Sequence, residues 1–438
     1  MQALLSFEQA PPIAAPFRFF LTAPLFAAAA AIVMMIAGPD AFVSRWSPTA
    51  LAMTHLIVLG FVLQIMVGAM IQILPVVAGA NLPRPLALAR FVHISLVLGA
   101  IALVAGFLGV GASAYMAASV LLSLGLGVFA AVAARALSGL PATSATITGL
   151  KLSLLGLLGV LALGVLLALA RGGWLTFACD FPSLDWVGVH VGWGLGAWGL
   201  SLLAAVSYVV VPMFQMTKNY PQWFGRLFGP LLLAVAALVT AAVFAGWPAL
   251  AELGELLLVW LAGAFCAVTL VLQAGSKRAR FDATQRYWRS AMLSTLAACA
   301  LWTAARVVPA VAEWSAWSML FAVLVLLGGY MSVICGMLYK IVPFLVWLHL
   351  QNRGRGRVTA PNMKQVLADA PMGRQREAHL VACLLVAAAV VWPAFFVYPA
   401  AIALLLASAM LAANLLAAVA VYRRKAAEID AKLQSLVS

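Results

Sequence analysis

Twelve stretches of this chain run for about 20 residues with scarcely a charge among them, and that pattern bounds what it can fold into. A bilayer core takes roughly 20 apolar residues to cross as a helix. The stretches fall at 17–37, 48–78, 88–108, 112–135, 145–170, 186–213, 227–247, 250–274, 288–310, 316–347, 378–396 and 398–422. The last two meet with almost no loop at Trp392-Pro393, where the alternative is one long kinked segment. With 66% hydrophobic and 9% charged residues, the chain could not cover a water-soluble surface, for which about 25% charged is usual. The expected fold is all-α, a single transmembrane domain in contact with the lipid bilayer.

The net charge of +14 raises the question of nucleic acid. Its distribution gives another answer. Alternate loops, the tail, Arg18 and Lys340 hold 23 of the 26 basic residues. Only Arg45, Arg171 and Arg306 fall opposite, beside Asp40, Asp180, Asp185, Glu252, Glu255 and Glu313. This is the positive-inside pattern, with some attraction for anionic lipid heads. It predicts a multi-pass protein of the bacterial inner membrane, both termini cytoplasmic, with no nucleic-acid partner. No cleavable signal peptide is expected, since the first run is of spanning length and lacks a basic flank. The five cysteines, Cys179, Cys266, Cys299, Cys335 and Cys383, form no close pair in sequence, so neither a disulfide framework nor a zinc site is expected.

Three of the runs end alike: GFVLQIMVGAMIQILPVVAG, GAWGLSLLAAVSYVVVPMFQ and GGYMSVICGMLYKIVPFLVWL. With Pro75, Pro212 and Pro343 aligned, Gly68, Ala205 and Gly336 stand seven residues earlier. Gly60, Gly196 and Gly328 stand fifteen or sixteen earlier. The prolines are 137 and 131 residues apart, and four helices fill each interval. The chain therefore reads as three pseudo-repeated four-helix units, about 1–143, 144–280 and 281–438, related by rotations near 120°. A transporter of two six-helix halves would repeat near 200 residues, and no such period is present. Beyond the last span, Ile429, Leu433 and Leu436 fall at helical spacing between charges, so 423–438 is expected as an amphipathic tail at the cytoplasmic face.

Ionisable groups deep in a membrane are costly and mark function. No Asp or Glu falls in the middle of a run, and Lys151 and Lys340 can snorkel to the inner face. The histidines are the remaining candidates. His93, His349 and His379 fall at cytoplasmic helix ends beside arginines, as interfacial residues would. His55 and His190 instead stand 20 and 22 residues before the aligned prolines, near the outer ends of two of the three repeated helices. Two imidazoles at one depth can ligate a haem iron axially. Copper would accept them too, helped by Met53. Hydrogen bonds between helices explain the pair equally well. Gly60, Gly192, Gly194 and Gly196 would give a macrocycle room, with Trp186 and Trp193 as walls.

These residues resemble a known family. A three-fold, twelve-helix chain with outer histidines is similar to haem–copper oxidase subunit I. The closer resemblance is to the NnrS family, haem- and copper-associated membrane proteins linked to denitrification and nitric oxide stress. Its members open on a stretch like Pro-Phe-Arg-Pro-Phe-Phe, and this chain has Pro16-Phe17-Arg18-Phe19-Phe20. Their second helix carries His-x-His-Glu-x-x-x-Gly-Phe, then Gly, Pro and Gly at intervals of seven and four. Here His55 precedes Gly60-Phe61, and Gly68, Pro75 and Gly79 keep those intervals. Met53 stands at the first His of that pattern and Leu56 at its Glu. The paired histidines of the oxidase tenth helix are missing, which argues against an oxygen-reducing centre. The resemblance implies one b-type haem near the periplasmic side, with His55 carried over directly and His190 inferred from the repeat. Copper is a second cofactor it allows. The implied role is nitric-oxide or redox handling or sensing, with a redox partner or respiratory complex nearby. The alternatives are a cofactor-free permease for a small or metal-linked solute, and an assembly partner of a respiratory complex.

Overall fold

The computed structural model describes residues 7–142, 144–176 and 184–435. Twelve long helices make up nearly all of it, and no strand occurs among the described residues. They are α1 (Ala14–Ala37), α2 (Pro48–Ala78), α3 (Pro85–Phe107), α4 (Ala112–Ser138), α5 (Ala145–Arg171), α6 (Asp185–Gln215), α7 (Gln222–Phe244), α8 (Pro248–Ala274), α9 (Ala283–Val307), α10 (Trp317–Arg353), α11 (Asp369–Val391) and α12 (Pro393–Ser435). Eleven are long and apolar enough to cross a membrane. The exception is α11, whose first turns carry Asp369, Arg374, Arg376 and Glu377. It parts from α12 at Trp392 and packs along it as a hairpin, so the two are not one kinked segment.

The aligned helices α2, α6 and α10 share an irregularity. Each contains a π-helical stretch: Leu56–Leu63, Gly192–Leu200 and Leu324–Met331. Leu63, Leu200 and Met331, the last residues of these stretches, all stand twelve residues before the aligned prolines. A wide π turn disturbs the regular backbone ladder, and its carbonyls are open to side-chain donors. Here Tyr330 of α10 donates to the Leu195 carbonyl of α6, and Ser294 of α9 donates to the Leu324 carbonyl at 2.9 Å. The aligned small residues face the helix before their own. A Cβ on Gly68 would meet Phe19 and Phe20 of α1 at 2.9 Å, and one on Gly336 would meet Tyr287 of α9 at 2.8 Å. Ala205 lies against Gly149 of α5. Four residues after its proline, α2 stops at Gly79 (φ +70°), and the Gly79 and Ala80 N–H groups close on the last carbonyls. The same offset after Pro212 is Met216 (φ +54°), which ends α6 in the same left-handed conformation.

The basic ends are pinned by ion pairs. Asp282 caps α9 by accepting the Gln285 N–H and pairs with Arg278 (2.8 Å) and with Lys340 of α10 (2.7 Å). Lys340 thus meets a carboxylate as it snorkels. Burial alone would push the Asp282 carboxyl up, but hydrogen bonds from Lys340 and Gln285 and the charges of Lys340 and Arg278 hold it below its ordinary value. A depressed carboxyl stabilises the fold above its unfolded-state pKa, and the gain disappears as pH falls through the folded one. Asp282→Asn should therefore lower stability by about 1–3 kcal/mol at neutral pH, between the values for exposed and buried pairs. Thermal unfolding in detergent should show the gap to wild type closing once pH drops below the carboxylate range. The tail is helical but not a separate element. It continues α12 to Ser435, burying Ala426 and Ile429 against the bundle, while Arg353 of α10 donates twice to Asp430 (2.7 and 2.6 Å). Leu436 lies outside the described residues.

Candidate functional site

His55 ends the regular first turns of α2, immediately before its π stretch, and His190 stands two residues before the stretch of α6. The helix register therefore sets both at the end opposite the basic loops. His55 Nδ1 lies 2.8 Å from the Leu51 carbonyl. A carbonyl can only accept, so Nδ1 carries the proton and Nε2 keeps its lone pair. The ring lies 5.0 Å from Phe107 of α3, tilted by 38°. Phe107 in turn meets Tyr115 of α4 edge-on (5.7 Å) and lies under the Arg171 guanidinium of α5 (5.6 Å), and Arg171 donates to the Tyr115 hydroxyl (3.2 Å).

His190 faces α5. A Cβ on Gly164 would come within 3.0 Å of its Cε1, so the missing side chain there makes room for the imidazole. The Val160 backbone is its polar neighbour, and His55 is near enough for a charge on either ring to be felt at the other. His190 Nδ1 is buried without a hydrogen-bond partner. Buried polar atoms are seldom left so, because an orphan costs about 1–3 kcal/mol. The two histidines thus stand just before the π stretches of α2 and α6 and present one lone pair and one unpartnered nitrogen.

The other sequence candidates are placed differently. The room expected beside Gly60 is filled by the Phe26 ring of α1. Gly192 and Gly196 face Leu258 of α8, and Gly194 faces Val160. These glycines serve helix packing, and a macrocycle gains no space from them. Met53 is half-buried among core residues. Trp193 lies on Gly159 and donates to Thr240 (2.8 Å), so it is a wall of α5–α7 packing. Gly164, Phe107, Tyr115 and Arg171 complete the surroundings. They come from three other helices and carry no sequence signature of a site. Cavities of about 310 Å³ near Arg306 and about 150 Å³ near Lys151 border neither imidazole.

His379 overturns its assignment to a helix end. It is fully buried, its Nε2 is 2.8 Å from Ser332 Oγ and 3.5 Å from Cys383 Sγ, and its ring lies 5.6 Å from Tyr287. Nearby, Gln375 accepts from Tyr287 (2.5 Å) and Tyr339 (3.0 Å), and Asn414 donates to Tyr339 (2.8 Å). The amide of Gln375 receives both hydroxyls and donates to the Ala407 carbonyl, so the network is a satisfied clasp between α9, α10, α11 and α12. His93 hydrogen-bonds Thr22 (2.6 Å), and His349 joins the Leu345 and Pro11 carbonyls (2.9 and 3.1 Å), as interfacial side chains do.

Among the described residues, no three His, Cys, Asp or Glu side chains come together as a metal site. Cys266, Cys299, Cys335 and Cys383 are free thiols, and Cys179 lies outside the described residues. A copper ion at His55 and His190 would thus have no third ligand of these types. A porphyrin brings four nitrogens of its own and asks only two of the protein. No known family model matches the chain, and no curated protein matches it.

Proposed function

We propose that this chain is an inner-membrane protein of three four-helix units that holds one b-type haem between His55 and His190. The observation that carries the reading is the imidazole pair: two corresponding helices, one free lone pair, one buried nitrogen without a partner. His55 is held by Leu51, Gly164 admits the His190 ring, and Arg171 is the cation nearest the Phe107 side of the site. When bound, the haem supplies one-electron redox chemistry. His55 and His190 would hold the haem through both imidazoles, and the group so held would serve electron transfer rather than gas binding. With the NnrS resemblance, the proposed role is nitric-oxide-linked redox handling or sensing.

Three features support the triple repeat with a haem–copper oxidase-like plan: the equally placed π stretches, the aligned small residues, and the packing order. The hairpins α3–α4, α7–α8 and α11–α12 correspond, and α4 on α5, α8 on α9 and α12 on α1 close the ring. The absorbance spectrum of purified, dithionite-reduced protein tests the cofactor, and a colourless protein expressed with ample haem would refute it. Orientation has its own check. Reporters in the 351–362 loop and after Ser438 should read cytoplasm, and one near Gly246 the opposite side.

A further inference from the structure

We propose that the seam between α4 and α5 binds an anionic phospholipid, with its phosphate at Lys151 and an acyl chain laid toward Leu158. The site shares no residue with the histidine pair and does not depend on the haem.

A cavity of about 150 Å³ opens there, lined on α4 by Ala130, Ala134, Leu137 and Ser138, and on α5 by Lys151, Leu154, Leu155 and Leu158. Its wall is apolar apart from one end. Ala134 and Ser138 are exposed, as are Leu155 (51%) and Leu158 (45%), so the groove opens sideways, where bilayer would lie. Alanines on α4 leave a trough that leucine side chains of α5 border. Lys151 is the seventh residue of α5, so its Cα sits about 9 Å below the helix start, at 1.5 Å per residue. Its ammonium reaches back to the Leu140 carbonyl at 2.5 Å. That uses one of three N–H donors and leaves two for a ligand at the depth of the phosphates.

The charge balance selects an anion. No Asp or Glu occurs anywhere between Asp40 and Asp180, so nothing acidic from those helices offsets Arg135 and Lys151. Arg135, exposed in the last turn of α4, stands three residues before Ser138 at the same end of the groove. A free phosphate would use the cations and ignore the apolar trough. A phospholipid uses both, and the basic face is the one that meets an anionic leaflet.

The test uses the full-length protein, delipidated in a mild detergent and offered phosphatidylglycerol, phosphatidylcholine or inorganic phosphate, with retained lipid counted by native mass spectrometry. Wild type should retain phosphatidylglycerol about fivefold over phosphatidylcholine, the weight of one lysine against an anionic head. Lys151→Gln, which can still donate to Leu140, should lose that preference, and Lys151→Arg should keep it. Ala134→Trp, placed at an exposed position, should reduce retention of both lipids by filling the trough. Equal retention of the two lipids by wild type overturns the proposal. So does an unchanged preference in Lys151→Gln, unchanged retention in Ala134→Trp, or full competition by inorganic phosphate at matched concentration.

Discussion

His190→Ala is expected to erase the low-spin spectrum of the haem proposed here, and His55→Ala to do the same. Each change removes one of the two imidazoles that would hold the haem, and among the described residues no other His, Cys, Asp or Glu stands with them to substitute. The effect is therefore all-or-none. The two variants should also differ in a revealing way. His55 donates to Leu51 from within its own helix, so its loss removes a local bond and leaves α2 its backbone ladder. His190 has an unpartnered buried nitrogen, so without haem its removal should leave stability unchanged or raise it slightly. His379→Ala is the control. It should keep the spectrum yet lower the unfolding temperature, because a cavity opens beside Tyr287 and Ser332 is left with only its bond to the Leu327 carbonyl. An unchanged spectrum in His190→Ala would separate that residue from the cofactor, and with it the pairing of α2 with α6.

Gly156→Ala should be the most destabilising single methyl in the chain's second quarter. A Cβ at Gly156 of α5 would overlap the Ala197 carbonyl group and crowd the Trp198 nitrogen, both backbone atoms within the π stretch of α6. A side chain can turn aside, but backbone inside a helix cannot without moving the helix. Overpacking of a tight contact costs typically 1–3 kcal/mol, and this one should fall at or above the upper end. Close approach through small residues is the main attraction between helices in lipid, where no hydrophobic force drives them together. Gly127→Ala makes the comparison fair. Nothing lies within 4 Å of a Cβ there, so the added methyl should be neutral or gain up to about 1 kcal/mol from helix propensity. Thermal unfolding of both variants in one detergent measures the difference. Equal behaviour would mean that α5 and α6 separate freely at this level, against the contact described.

Much of the fold was legible in the chain. Twelve apolar runs became twelve long helices because, in a membrane, a backbone must satisfy its own hydrogen bonds, and hydrophobic length alone then selects helix. The error lay at α11, which starts at Asp369, nine residues before its apolar run, because charged turns can join a helix without adding hydrophobicity. The prolines that suggested a repeat each follow a π stretch by twelve residues, and Gly68, Ala205 and Gly336 each sit at a close helix contact. The π stretches themselves left no readable trace, since no residue type encodes one turn of altered pitch.

The candidate site divides in the same way. Sequence alone singled out His55 and His190, because both precede an aligned proline by nearly the same count and helical rise converts count into depth. It could not find Gly164 and Phe107, which meet the two rings, or Tyr115 and Arg171, which meet Phe107, all at sequence distances that no periodicity links. It also misjudged Gly60, which the Phe26 ring fills, and His379, which lies deep against Ser332. Depth along a helix is a one-dimensional quantity that the chain itself carries. Which face a residue turns, and what fills the space before it, depends on how neighbouring helices rotate and pack, and only the tertiary structure decides that.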